Sequence, residues 1–137
     1  MSTFTALISF TIFLVFLNAA LAAEDCVACA DGAIPIWNGN PPTKNGCGSG
    51  WYSPILNQVV TSLTIMCCNG HDICYGTCGY AKTTCDTAFS SCLKTMCDNF
   101  PEEGICIRGI MSFFVEKFGC SAYTGAQGES CICTPLG

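Results

Sequence analysis

Apolar residues recur with a helical period over three stretches of this chain. From Leu56, the residues Val59, Val60, Leu63, Met66 and Cys67 return at three- and four-residue intervals, the spacing of one helix face. Ser53-Pro54 offers one start for this helix, with Ser as N-cap and Pro at the first helical position. The β-branched residues between Val59 and Thr64 offer another, near Thr61. In either case the helix runs through His71 to about Tyr75 and stops at Gly76 or Gly79. A second helix is expected over Thr84 to Met96. Thr83 is a natural N-cap with an acid three residues on, and Cys85, Phe89, Cys92 and Met96 form one stripe. A third places Ile107, Ile110, Met111, Phe114 and Phe118 on one face, with Phe113 off the stripe, Lys117 in the last turn and Gly119 as its cap.

The remaining stretches lack such a period. Gly and Pro recur through residues 24–53, which reads as loop rather than helix or strand. The tail carries Cys131 and Cys133 after a Gly-rich turn and reads as a stapled loop. Residues 1–23 contain no charged side chain, are strongly apolar from Leu7 to Leu17, and end near Ala20-Leu21-Ala22. That is the pattern of a secretory signal peptide over residues 1–22, with cleavage after 22 or 23. Its apolar run is short of the roughly 20 residues a spanning helix needs. Residues 23–137 are left as a single domain.

Cysteine content then decides the class. All 14 cysteines fall between Cys26 and Cys133, an even number on a secretory route, so up to seven bridges are expected. One histidine among so many cysteines argues against a zinc site. The expected fold is small, disulfide-rich and mainly α. The formal charge is −5, with only five Lys and Arg and no basic run. Nucleic-acid binding needs phosphate neutralisation and is excluded on that ground. Attraction to anionic membranes is weak for the same reason, so any lipid contact rests on apolar and aromatic side chains.

Candidate chemistry concentrates in residues 67–78, CCNGHDICYGTC, which hold the sole histidine, His71. On a helix Cys67, His71, Cys74 and Cys78 share a face, while Cys68, Asp72 and Tyr75 make a second stripe about 100° round. A short link joins this helix to the next, so the two form an antiparallel hairpin in which facing residues keep a nearly constant index sum. Cys67 with Cys92 and Cys74 with Cys85 both sum to 159, and His71 with Asp86 sums to 157. Two bridges in one register therefore set His71 opposite Asp86. A carboxylate on one ring nitrogen fixes the tautomer and leaves the other nitrogen to accept a proton, including one from water. Asp72 points elsewhere, toward the glycines of KNGCGSGW. One carboxylate with several backbone carbonyls is hard oxygen ligation, suited to Ca²⁺. Structural readings stand beside these: Asp86 as a first-turn acid, Asp72 as a solvated acid, the glycine run as a stapled turn.

Taken together, the motifs resemble a known family. CCNGHDICY is similar to the active-site helix signature of secreted phospholipase A2, CCxxHDxCY, and NGCGSG resembles its calcium loop. Cys85-Asp86 with Cys92 resembles its second catalytic helix, and the short interhelical link looks most like the group XII type. The resemblance covers about residues 44–97. It implies hydrolysis of the sn-2 ester of glycerophospholipids, with His71 as general base and Asp86 orienting it. Tyr75 would hydrogen-bond to that aspartate. Asp72 and the carbonyls of Gly46, Gly48 and Gly50 would hold Ca²⁺, the Gly48 amide would stabilise the oxyanion, and Cys47 would bridge Cys68. The chain departs from the family's loop form YGCYCG, offers no counterpart to its second active-site tyrosine, and has no room for its β-wing. The third helix then has two readings, a core face or the wall of an acyl-chain channel that meets lipid. Trp51, beside the glycine loop, is the better candidate for a peripheral membrane or micelle contact, with a buried ring packed on the bridges as an equal alternative. The competing function is a secreted binding or toxin-like protein that keeps the scaffold with weakened activity.

Overall fold

The computed structural model describes residues 26–48, 60–100 and 108–136. The signal segment, the Ser53-Pro54 start, Gly50 and Trp51 lie outside the described residues. Helix α1 spans Ser62–Tyr75. It takes the later of the two starts: Thr61 is the N-cap, and its Oγ1 accepts from the Thr64 amide. Helix α2 spans Lys82–Asn99. It begins before the expected cap, so Thr83 lies inside the helix and Ala81 precedes it with no side-chain cap. It also runs past Met96 to Asn99. Helix α3 spans Arg108–Phe118.

Two further elements differ from the sequence reading. Residues Cys120–Ser130 form a helix, α4, rather than a loop. Gly119 does not stop the chain in a left-handed turn. With φ −77° and ψ −6° it is the N-cap of α4, so α3 and α4 are nearly continuous. Strand β1, Ile34–Trp37, pairs antiparallel with strand β2, Cys131–Thr134, in the register Ile34 to Thr134 and Trp37 to Cys131. Pro35 sits in β1, tolerated because a two-stranded ribbon leaves each strand an open edge. Periodicity did not show this pair because its partners are almost a hundred residues apart.

The helical hairpin is the spine. Cys67–Cys92 and Cys74–Cys85 crosslink α1 to α2, and Cys47–Cys68 ties the glycine-rich segment to α1. Cys26–Cys120, Cys29–Cys133 and Cys78–Cys131 fasten the remaining segments, and Cys97 is disulfide-bonded as well. One core cluster gathers Cys47, Cys67, Cys68, Phe89, Leu93 and Met111; a second gathers Tyr75, Cys85 and Tyr123. The cysteines are thus core residues as well as staples.

The turn between α1 and α2 is fixed from behind by α4. Gln127, fully buried at 0% exposure, donates from Nε2 to the carbonyls of Tyr75 (2.7 Å) and Thr77 (2.9 Å). Its Oε1 accepts from the Gly79 amide at 2.9 Å, at a residue whose φ of +81° glycine adopts without strain. The side chain adds to the turn's own backbone bonds, such as that from the Tyr80 amide to the Thr77 carbonyl at 3.1 Å. Gln127→Ala removes all three bonds and leaves the buried Tyr75 carbonyl without this donor, and is expected to cost about 1–3 kcal/mol in chemical unfolding with the bridges intact. Gln127→Glu is expected to be no better, since a carboxylate cannot donate to either carbonyl.

Candidate active site

The register of the hairpin brings His71 and Asp86 together. His71 lies in the middle of α1, and Asp86 lies in the first turns of α2. His71 Nε2 and Asp86 Oδ1 are 2.8 Å apart and both residues are buried. With Nε2 bonded to a carboxylate, the neutral ring carries its proton there, and Nδ1 is the nitrogen able to accept one. The ring is packed between Tyr75 (centroids 4.0 Å) and Phe89 (4.7 Å), which removes its freedom to turn. Tyr75, one turn along α1, donates its hydroxyl to the same Asp86 Oδ1 at 2.6 Å.

A third donor to Asp86 was missed by sequence reading. Lys82, only 4% exposed, donates from Nζ to Asp86 Oδ2 at 2.8 Å. Its place in the sequence was hidden because a lysine just before an expected cap reads as solvated. The signal that could have revealed it is the i, i+4 spacing from Lys82 to Asp86 on an earlier helix start. Burial alone would push the Asp86 carboxyl up. Hydrogen bonds from His71, Lys82 and Tyr75, with the charge of Lys82, outweigh it and hold Asp86 below the ordinary aspartate value of 3.8. Asp86 is therefore ionised at neutral pH.

On the adjacent stripe, Asp72 is half-buried and turned toward the glycine-rich segment. Its Oδ2 accepts the Asn45 amide at 2.8 Å, with the Gly46 amide also in reach. Burial raises its carboxyl above the ordinary value, and those amides with the nearby His71 offset this only in part. Among the described residues Asp72 makes no ion pair. Nor do three His, Cys, Asp or Glu side chains cluster there. A cation at this position would be held by one carboxylate and backbone oxygens, a donor set that fits a hard ion such as Ca²⁺ and not zinc. Gly46, at φ +82°, and Gly48 line the same cavity as Asp72; Gly50, the remaining expected ligand, lies outside the described residues.

That cavity, of about 340 Å³, joins the two stripes. His71, Asp72, Gly46 and Gly48 make its polar end, and Phe89, Met111, Phe114, Val115 and Phe118 make its apolar wall. The third helix contributes to both the core and the cavity: Met111 is buried in the core and lines the cavity with Phe114 and Phe118. A held imidazole and a half-buried carboxylate at one end of an apolar-walled cavity are groups able to take a proton from water beside an apolar molecule.

Comparison with known proteins agrees in class. The family model described as group XII secretory phospholipase A2 precursor matches residues 10–136. Group XIIA secretory phospholipase A2 of Mus musculus is 36% identical over 135 residues, covering 86% of this chain and 70% of that protein. Its Homo sapiens counterpart is 36% identical over 135 residues, with 86% and 71% covered. Group XIIB secretory phospholipase A2-like protein of Mus musculus is 31% identical over 102 residues, with 65% and 52% covered. No solved structure was matched.

Proposed function

The chain belongs to the group XII secretory phospholipase A2 family, and from that premise we propose that it is a calcium-dependent hydrolase of the sn-2 ester of glycerophospholipids, releasing lysophospholipid and a free fatty acid. The observation that carries the reading is the 2.8 Å contact between His71 Nε2 and Asp86 Oδ1 at the polar end of an apolar-walled cavity. His71 Nδ1 takes the proton of a water molecule as that water attacks the ester carbonyl. The proton is then given to the departing alkoxide. Asp86 keeps the ring in the tautomer this requires and stabilises the imidazolium in between. Tyr75 acts through Asp86 and touches no reacting atom.

Asp72, with the carbonyls of Gly46, Gly48 and Gly50, would hold Ca²⁺, which when bound supplies positive charge to the developing oxyanion. The Gly48 amide is the protein's own donor to that oxygen. Phe89, Phe114 and Phe118 receive the acyl chain and keep bulk water from the carbonyl. On α3, Ile110, Phe113 and Phe118 are exposed, and Phe118, exposed by 60%, also lines the cavity. Beside the cavity mouth they are suited to contact with a lipid surface, in a chain whose balance of −5 gives no attraction to anionic headgroups. No helix among the described residues is long and apolar enough to cross a membrane. Attachment in this reading is peripheral. In this reading the signal peptide over residues 1–22 directs export and is cleaved after 22 or 23, and N-terminal sequencing of the exported protein checks the cleavage site.

Mixed micelles of phosphatidylcholine labelled in one acyl chain at a time test the reaction. Label released from the sn-2 position alone, in the presence of Ca²⁺, is the expected result. Calcium binding with no release of either chain would assign the scaffold to a binding role instead.

A further inference from the structure

Lys82 occupies a position that is unfavourable on three counts. It is buried at 4% exposure, where a lysine loses its hydration. It opens α2, where the positive end of the helix dipole repels a cation. Its side chain is also hemmed in: a Cβ at Gly119 would lie 3.2 Å from Lys82 Cε and 2.7 Å from the Tyr75 hydroxyl. Every donor of its ammonium is nevertheless used. Nζ donates to Asp86 Oδ2 (2.8 Å), to the carbonyl of Val115 (2.8 Å) and to that of Glu116 (3.3 Å). Those carbonyls belong to the last turn of α3, at the negative end of its dipole; the Val115 carbonyl also accepts the Gly119 amide at 3.0 Å. One cation thus joins the carboxylate that holds His71 to the helix that walls the cavity.

We propose that Lys82 is a positioning residue for the reaction, clamping Asp86 to the end of α3 so that the His71 ring and the apolar wall keep one fixed relation. This rests on the function proposed above. Without Lys82, Asp86 keeps two donors on Oδ1 and none from a side chain on Oδ2. The carboxylate can then rotate, and His71 Nδ1 drifts from the line of attack. The Val115 and Glu116 carbonyls lose the ammonium in the same step, Val115 keeping only the Gly119 amide at 3.0 Å, so α3 loosens against the dyad. A misplacement on the order of 1 Å costs a rate factor of about 100.

Lys82→Met, Asp86→Asn and the double variant are compared by kcat and KM on phosphatidylcholine mixed micelles. Lys82→Met is expected to lower kcat by about 10- to 100-fold with KM changed less than about threefold. In the Asp86→Asn background the same change is expected to cost less than about threefold, because Lys82 acts through the carboxylate. A merely structural lysine would give additive losses. A second measurement does not need turnover. His71 is the only histidine in the chain, so its ring N–H resonance is unambiguous, and exchange of that proton with solvent is followed at fixed pH. Lys82→Met is expected to speed the exchange by about tenfold or more, while Lys82→Arg, which keeps the charge, stays closer to the wild type. If Lys82→Met does not fold, Lys82→Gln is read in the same way. Unchanged kcat, additive losses, or unchanged exchange in the charge-removing variant would overturn the proposal. A wild-type protein that releases no fatty acid but shows the exchange pattern would remove the hydrolase reading and leave the clamp standing.

Discussion

Replacing His71 with glutamine is expected to lower kcat/KM for sn-2 hydrolysis by about 10³-fold or more, with most of the loss in kcat. Glutamine is of similar reach and can still hydrogen-bond to Asp86, so the hairpin, whose bridges lie on either side, is left in place. What it cannot do is accept a proton from water at neutral pH and return it to the leaving alkoxide. Asp86→Asn is expected to cost a comparable amount for a different reason. An amide can present a donor to His71 Nε2 and so favour the tautomer with its proton on the wrong nitrogen. The two losses should not add, since both remove the same step. Fatty-acid release measured by titration, with circular dichroism and thermal unfolding as controls on folding, checks this. Activity of His71→Gln within tenfold of wild type would remove the imidazole from the mechanism.

Chelation of Ca²⁺ is expected to suppress hydrolysis by about 10²-fold or more, the scale of losing the main charge that stabilises an oxyanion. Asp72→Asn should reproduce that loss in saturating Ca²⁺. The same substitution has an opposite consequence for stability. Asp72 is a half-buried carboxylate that, among the described residues, meets backbone amides and no cationic side chain. In the absence of the ion its charge is a liability, so Asp72→Asn is expected to melt at or above the wild-type temperature in chelator. With Ca²⁺ at about 100 times its Kd the wild type should gain about 2.7 kcal/mol, and the variant nothing. A wild-type melting temperature indifferent to Ca²⁺, together with a rate indifferent to chelator, would contradict the assignment of Asp72.

The hairpin was legible because its evidence is local. Helical spacing places the cysteines on faces, and two equal index sums set the register of α1 against α2. His71 and Asp86 are carried into contact by that register. The Tyr75 contact was implied only by the family resemblance, and the Lys82 contact depends on where α2 starts, which the Thr83 cap signal placed too late. Helix α4 was not legible for a related reason. Gly125 and Gly128 interrupt it, and no apolar stripe runs along it. What orders it is tertiary: the bridge at Cys120, Tyr123 packed edge-on to Tyr75 at 5.3 Å, and Gln127 buried against the interhelical turn. The ribbon of β1 and β2 joins distant segments, one of them broken in pattern by Pro35, so neither strand announces the other. Local pattern shows what each segment can be, and long-range burial decides the rest.

The disulfide connectivity sets an order of assembly. Cys26 and Cys29 precede every other cysteine, and their partners, Cys120 and Cys133, follow 94 and 104 residues later. The bridges of the hairpin and its glycine-rich segment close over separations of 11, 21 and 25 residues. A chain threaded N-terminus first into an oxidising compartment can therefore complete its catalytic hairpin while its earliest thiols still wait. Those thiols sit three positions apart, close enough in sequence to pair with each other or with passing neighbours before the native partners arrive. Undoing any such pair needs an attacking thiolate, so exchange rather than oxidation is expected to limit maturation. A disulfide isomerase should then speed recovery of the native form, and extra oxidant should slow it. On this connectivity the site is expected to form first and the ends of the fold to be sewn together last.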